Sequence, residues 1–349
     1  MGRVVLVTGV SRDFGGRFAR RIAADPDVER VIGVDVVPPR ADLGTVSFIR
    51  ADIRNPVIAK VITGQDVDTV VHMSVQSTPH EAGGRTSMKE HNVIGTMQLL
   101  AACQKAPGLE RLVVKSSSAV YGSSSRDPAM FTEDLDAKRL PRSGYAKDVL
   151  EVEGYVRGFA RRRPDVSVTM LRAASAIGPT VSSPLTHYFR LPVVPTVLGY
   201  DARLQFVHEA DLLGALHHAT LDGVHGTFNV AGDGVLMLSQ ALRRLGRPTV
   251  PVPGFALTPL KTMARQAWVR GMQAELAEYL TFGRGLDTTR MRSVLGFQPA
   301  YTTAEAFADF GRSVALGVLP HPAASDRTAW ERATPVREPA ITTSGGDHG

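Results

Sequence analysis

A strand-like run that ends in glycine, followed by a helix that opens on two more, is equipment for holding a pyrophosphate. In "VLVTGVSRDFGGRFA" Gly9 closes the apolar run, and Gly15 and Gly16 open a segment of helical period. A turn without side chains lets the backbone approach a diphosphate, whose charge then rests on the helix N-terminus. Asp35 comes 20 residues after Gly15 and ends a second apolar run, "VIGVDVV". A carboxylate there accepts hydrogen bonds from adenosine ribose hydroxyls and repels a 2′-phosphate, which favours NAD over NADP. Arg12 stands where a GxxGxxG spacing has its middle glycine, and a guanidinium can instead pair with a 2′-phosphate; Asp35 carries the greater weight.

The elements that must position these residues follow from the apolar pattern. "RVVLVTG", "RVIGVDVV", "VSFIRAD", "DTVVHMSV" and "RLVVKSSS" are apolar runs without alternation, and helical patterns cover Phe14 to Ala24, Asn92 to Gln104 and about Tyr145 to Arg162. Strands buried on both faces by crossover helices read this way, so the fold class is α/β, a Rossmann-type doubly wound parallel sheet. After "VSVTMLRAA" the chain turns rich in proline and small residues, as in "SSPLTHYFRLPVVPTVLGY". The expected organisation is a dinucleotide-binding domain over residues 1–180 and a smaller, irregular substrate-binding part over 181–320 that returns elements to the sheet. A loosely ordered tail of Pro, Ser, Thr, Gly and charge covers 321–349.

Composition removes several function classes. With 349 residues the chain buries enough surface to need no staple, and its single cysteine, Cys103, excludes an internal disulfide framework. No stretch reaches the ~18 apolar residues of a membrane span, and the N-terminus goes straight into the fold, so a soluble, cytoplasmic protein without a membrane partner is expected. The net charge of +6 is spread along the chain. Its one tight run, Arg161 to Arg163, precedes Pro164 at a helix end, where cations favour the dipole, so no nucleic-acid partner is expected. His72 and His91 lack metal-ligand spacing with any cysteine or carboxylate cluster and read as structural; no metal site is expected.

The segments "TGVSRDFGG", "ADIRNP", "VVHMSV", "NVIGTMQLL", "SSSAVYG", "SGYAKDVLEVE", "VTMLRAASAIGP", "LQFVHEADL" and "TFNVAGDG" follow the order and spacing of the extended short-chain dehydrogenase/reductases. Over roughly residues 3–315 the chain resembles their NAD-dependent epimerase/dehydratase group, which includes UDP-glucose 4-epimerase. The resemblance implies NAD as cofactor, with Asp52 and Ile53 flanking the adenine, Asn92 on the helix that passes the cofactor, and a homodimer formed through two long helices. It also implies the chemistry: a hydroxyl proton is abstracted while a hydride passes to C4 of a bound nicotinamide, on a secondary alcohol or ketone such as that of a nucleotide sugar. A tyrosine phenol must fall about three units for this work, roughly 4 kcal/mol, and in the family a lysine one helical turn later supplies the charge and holds the nicotinamide ribose. Ser117 matches the hydroxyl residue that precedes them, and Lys147 matches the lysine, with Glu151 four residues on.

The pattern then departs from the family. Ser143 occupies the tyrosine's place, four before Lys147, and Tyr145 is only two before it. Residues four apart on a helix lie about 40° from each other around the axis, residues two apart about 200°, so Tyr145 and Lys147 cannot both face one cofactor in an undistorted helix. Three accounts stay open: an irregular helix start at Gly144 that swings Tyr145 into the site; a relay through Ser117, Ser143, Lys147 and water, or another tyrosine such as Tyr121; or a cofactor that is bound without turnover. Ser175 and Leu204 stand where nucleotide-sugar epimerases carry asparagine and arginine, leaving Arg172, Arg203, Arg284 and Arg290 as candidate phosphate partners. The function read here is an NAD-dependent epimerase/dehydratase-like oxidoreductase; its alternatives are an NAD(H)-binding regulatory or scaffold protein and a reductase like the 3β-hydroxysteroid dehydrogenases. The last rests on the segment Pro251 to Tyr279 with Trp268, which can also pack as core.

Overall fold

The computed structural model describes residues 2–77, 83–135, 144–253 and 274–315. The tail from 321 on, Ser143 and most of the segment around Trp268 lie outside the described residues. The apolar runs form strands β1 (Arg3–Thr8), β2 (Val28–Asp35), β3 (Ser47–Arg50), β4 (Thr69–His72), β5 (Arg111–Ser117) and β6 (Ser167–Ala173). Shorter strands follow: β7 (Ser175–Ile177), β8 (Val194–Val197), β9 (Arg203–Leu204), β10 (Phe206–His208), β11 (Gly226–Val230), β12 (Leu236–Met237) and β13 (Thr249–Val252). The central sheet has 7 strands in the order β11-β6-β5-β4-β1-β2-β3, and every pairing in it is parallel. The doubly wound parallel sheet expected from the apolar runs is thus present, and its order reverses between β1 and β4, where a crevice opens at the carboxyl ends of the strands.

Helices cover both faces. They are α1 (Asp13–Ala23), α2 (Val57–Gly64), α3 (Arg85–Lys89), α4 (Gly95–Gln104), α5 (Gly144–Arg162), α6 (Pro184–Phe189), α7 (Glu209–Asp222) and α8 (Leu238–Arg244). On one face Phe18 and Ile22 of α1 meet Leu212 and Leu216 of α7. On the other, Ile58 of α2, Leu99 of α4 and Phe159 of α5 lie over Leu6, Val70 and Leu112. Each such side chain, fully removed from water, contributes about 1.5–3 kcal/mol. A third cluster joins Phe189 and Phe206 to Phe307 and Phe310 of the helix Thr303–Ala315, and it carries the two-stranded pairs β12-β9 and β13-β8 beside the main sheet.

The helix expected over Asn92 to Gln104 is continuous from Arg85: α3 runs into a π-helical turn over Glu90–Ile94, which runs into α4. Thr96 donates to the Asn92 carbonyl at 2.5 Å and pairs with His72 Nε2 at 2.8 Å, so a buried side-chain network sits where the helix ladder widens. Burial holds His72 neutral, pushing it down to about 3, as befits a packed structural histidine. Arg163 supports the structural reading of the arginine run: its guanidinium donates to the carbonyls of Cys103, Gln104 and Ala106 at the end of α4. Among the described residues no helix is long and apolar enough to cross a membrane.

Candidate active site

A cleft of about 1710 Å³ follows the carboxyl ends of β1, β2, β5 and β6. Gly9 takes φ of 82°, and a Cβ there would come within 2.9 Å of Ser74 Cα. A Cβ on Gly15 would run into the Gly9 carbonyl oxygen, so the first turn of α1 closes against the strand only because residue 15 has no side chain. Asp35 lies opposite, its carboxylate accepting from the backbone N–H of Ser11 (3.1 Å) and Val36 (2.7 Å). Burial raises its pKa above the ordinary aspartate value even against those bonds and the charge of Arg12. Arg12 stands at the N-cap position of α1, without a side-chain capping bond, and lines the same cleft.

These residues fit a dinucleotide: a side-chain-free cradle at a helix N-terminus, with a carboxylate at the end of the neighbouring strand. Replacing Gly15 by alanine is expected to weaken NAD binding about 100-fold or more, measured by calorimetric titration, because the added methyl pushes the turn open where the backbone meets the diphosphate.

Asp52 lines the cleft and is held by Arg54, whose Nη2 lies 2.6 Å from its Oδ2. Ile53 is buried under the wall, against Gly95, and does not reach the cleft. Asn92 also stands behind the lining. Its carboxamide accepts from the N–H of Gln76 (2.7 Å), donates to the Gln76 carbonyl (2.9 Å) and donates to Asp148 (3.2 Å), which pins the loop after β4 to α5.

At the far end of the cleft stand Ser117 and Tyr145. Ser117 ends β5, and its hydroxyl accepts from the N–H of Ala119 (3.2 Å). Helix α5 begins at Gly144 with φ of 77°, a conformation that costs glycine little, and Tyr145 lines the cleft beside Ser117. Burial pushes the phenol up to about 12, while the neighbouring Ser117 hydroxyl and the charge of Arg12 pull it down. Lys147 does not stand where the family pattern puts its lysine. Two residues past an inward-facing Tyr145, it is carried to the opposite side of α5, exposed and outside the cleft lining. The residue one turn after Tyr145 is the buried Val149. The start of α5 is anchored from α3, where Arg85 donates to both oxygens of the fully buried Asp148 at 2.6 Å and to the Gly144 carbonyl at 3.0 Å.

Several residues that sequence reasoning passed over share the cleft. Glu275, on the helix Ala274–Phe282, occupies the space a side chain at 144 would fill, and its carboxylate accepts from the N–H of Ala146 at 3.4 Å. Burial pushes it up to about 7, opposed by that bond and by Arg85 and Arg284. Tyr279 lies on the same helix, its hydroxyl donating to the Gln205 carbonyl at 3.4 Å. Lys115 lines the cleft from β5; a lysine inside the apolar run "RLVVKSSS" was the signal for it. Nothing local in the sequence marks Glu275.

A raised carboxyl pKa means the folded protein binds the extra proton, so this group's stability is fully present below the ordinary value of 4.5 and is lost as pH rises through about 7. Glu275→Gln is therefore expected to equal the wild type in acid and to exceed it by about 1–3 kcal/mol above neutrality, read from urea midpoints across pH. Equal midpoints at alkaline pH would remove the buried-carboxyl account.

The four arginines considered for phosphate separate by position. Arg172 is buried in an ion pair with Glu153, Arg203 lies outside the cleft lining, and Arg290 pairs with the exposed Asp134 at 3.3 Å. Arg284 lines the cleft, donating to the Gly122 carbonyl (2.7 Å) and to the hydroxyls of Ser118 (3.2 Å) and Ser123 (3.1 Å).

Residues 5–231 match the model of the NAD dependent epimerase/dehydratase family. The chain belongs to that family. Its cofactor is NAD, and the glycine cradle and Asp35 are the parts of this chain that fit it. An uncharacterized protein of Mycobacterium tuberculosis is 51% identical over 325 residues, covering 91% of this chain and 86% of that one. Among solved structures, UDP-glucose 4-epimerase of Thermotoga maritima, determined with UDP-glucose, superposes with a TM-score of 0.70 at 17% identity over 90% of this chain and 100% of that chain. The dTDP-glucose 4,6-dehydratase of Bacillus anthracis, in complex with NAD, gives 0.69 at 18% identity over 90% and 97%. At those identities the likeness is one of fold.

Proposed function

We propose that the protein is an NAD-dependent oxidoreductase of the epimerase/dehydratase type, acting on a secondary alcohol or ketone of a nucleotide sugar. The observation that carries this reading is the placement of Tyr145 in the cleft beside Ser117. Ser117 holds the reacting oxygen, and Tyr145 takes its proton and returns it. When bound, NAD supplies the hydride acceptor. Arg12 is the cation whose charge favours the phenolate, and Arg284 at the other end of the cleft suits a sugar-nucleotide diphosphate. The relatives whose structures contain UDP-glucose or NAD support this substrate class.

The test is incubation of the protein and NAD+ with UDP- and dTDP-hexoses, following nicotinamide reduction by absorbance and sugar products by chromatography. Turnover of any one supports the reading; binding of NAD+ with no turnover across the panel and with simple ketones sinks it. A second reading, a dinucleotide-binding regulatory protein without turnover, is favoured by Val149 in the place of a lysine one turn after Tyr145. We further propose a cytoplasmic homodimer through α4 and α5. Ile94 just before α4, Met97 of α4 and Tyr155 of α5 leave apolar side chains exposed, 43%, 39% and 39% accessible, and a second copy would cover them.

A further inference from the structure

The helix lysine is turned away from the cleft, yet a lysine lines the cleft from another element. Lys115 and Ser117 are two residues apart on β5, so both side chains leave the sheet on one face. Their neighbours in register on β6 are Leu171 and Ala173, which give the ammonium no counter-charge from that strand. The Lys115 Nζ lies 5.9 Å from the centre of the Phe14 ring, in the first turn of α1, so the side chain reaches across the cleft floor from the Ser117 strand toward the glycine cradle. Placed between the two, it lies beneath whatever joins the diphosphate site to the Ser117–Tyr145 pair.

We propose that Lys115 is a cofactor-binding residue, supplying from β5 the cation for the nicotinamide half of the dinucleotide that α5 does not supply. The inference rests on NAD being the cofactor and not on the substrate class. An ammonium donates to ribose hydroxyls and attracts diphosphate charge as a point cation. Burial and the neighbouring Arg12 pull the Lys115 pKa down to about 8, so its charge is present at neutrality and lost in mild alkali. Among the described residues the other ionisable groups lining the cleft are Arg12 after β1, Asp13, Arg17 and Arg20 of α1, Asp35 of β2, Arg40, Arg50 of β3, Asp52 and Arg54 after it, Tyr145 of α5, Glu209 of α7, which pairs with Arg17, and Glu275, Tyr279 and Arg284. Tyr145 titrates far above this range and Glu275 below it, near 7.

The experiment is calorimetric titration of the full chain, stripped of any co-purified nucleotide, with NAD+ between about pH 6.5 and 9.5. Wild-type affinity is expected to fall as pH rises through 8, because deprotonation removes the cation. Lys115→Met is expected to bind about tenfold more weakly at the acid end and to lack the step near 8, keeping only the one near 7. Lys115→Arg, whose charge does not titrate, is expected to bind within a few fold of wild type, also without that step. Lys147→Ala is expected to bind as wild type. Thermal unfolding checks that each variant is folded, and the arginine variant keeps the test open if methionine does not fold. The proposal is overturned if Lys115→Met binds within twofold of wild type, if the step near 8 persists in Lys115→Arg, or if Lys147→Ala is the variant that loses affinity. Folded wild-type protein that binds no NAD+ overturns the cofactor assignment itself and this proposal with it.

Discussion

Replacing Tyr145 by phenylalanine is expected to lower the rate of hydride transfer by about 10²–10⁴-fold, the usual worth of a positioned proton carrier, with NAD affinity unchanged within about twofold. The hydroxyl is the only atom removed, and the ring still fills its place at the start of α5. The phenol is pushed up to about 12 by burial, so in the wild type the reactive phenolate is scarce at neutrality. The rate of substrate oxidation should therefore climb with pH, about tenfold per unit until another group or step limits it, and the phenylalanine variant should show no such slope. Steady-state rates on the substrate found in the hexose panel, measured across pH for both proteins, decide it. A loss below tenfold, or an unchanged slope, would give the proton to another group; Glu275, titrating near 7, is then the next to remove.

The parts of this site that were legible in the sequence are those fixed by a few adjacent residues. Gly9, Gly15 and Asp35 could be placed because a strand, a glycine turn and a helix determine one another locally, and the parallel strands announced themselves as unbroken apolar runs. Ser117 followed because it ends such a run. The orientation of Tyr145 was open because it depends on a single dihedral at Gly144 and on how α3 anchors Asp148, a contact that spans 63 residues of the chain. The same helix geometry that made Tyr145 and Lys147 incompatible could not say which of them turns inward. The pairs β12-β9 and β13-β8 escaped notice because strands of 2–4 residues show no period. Arg172 was a candidate for phosphate as one of the cations left near the substrate end; the buried Glu153 on the facing helix claims it instead.

That burial makes Arg172 the residue whose loss should cost the fold most. On β6 and 6% exposed, its Nη2 donates to Glu153 at 2.7 Å and its Nη1 donates to the Tyr121 hydroxyl and the Glu133 carbonyl, both at 2.9 Å. Glu153 of α5 is fully buried and accepts from Ser116 of β5 at 2.5 Å as well; Tyr121 in turn donates to Asn229 of β11 at 2.8 Å. One guanidinium thus ties β5, β6, β11 and α5 together beneath the strand end that carries Ser117. Methionine in its place fills similar volume but leaves the Glu153 carboxylate buried, with only the half-exposed Arg157, at 3.1 Å, as a charged partner among the described residues. Removing one partner of a buried pair costs about 3–5 kcal/mol, whereas removing both is close to neutral. Arg172→Met is accordingly expected to lower the unfolding free energy by that amount in urea titrations, and adding Glu153→Leu to recover more than half of it. A ligand-facing arginine behaves in the opposite way, with stability kept and affinity lost, so a stable Arg172→Met protein with weakened nucleotide-sugar binding would return this residue to the substrate site.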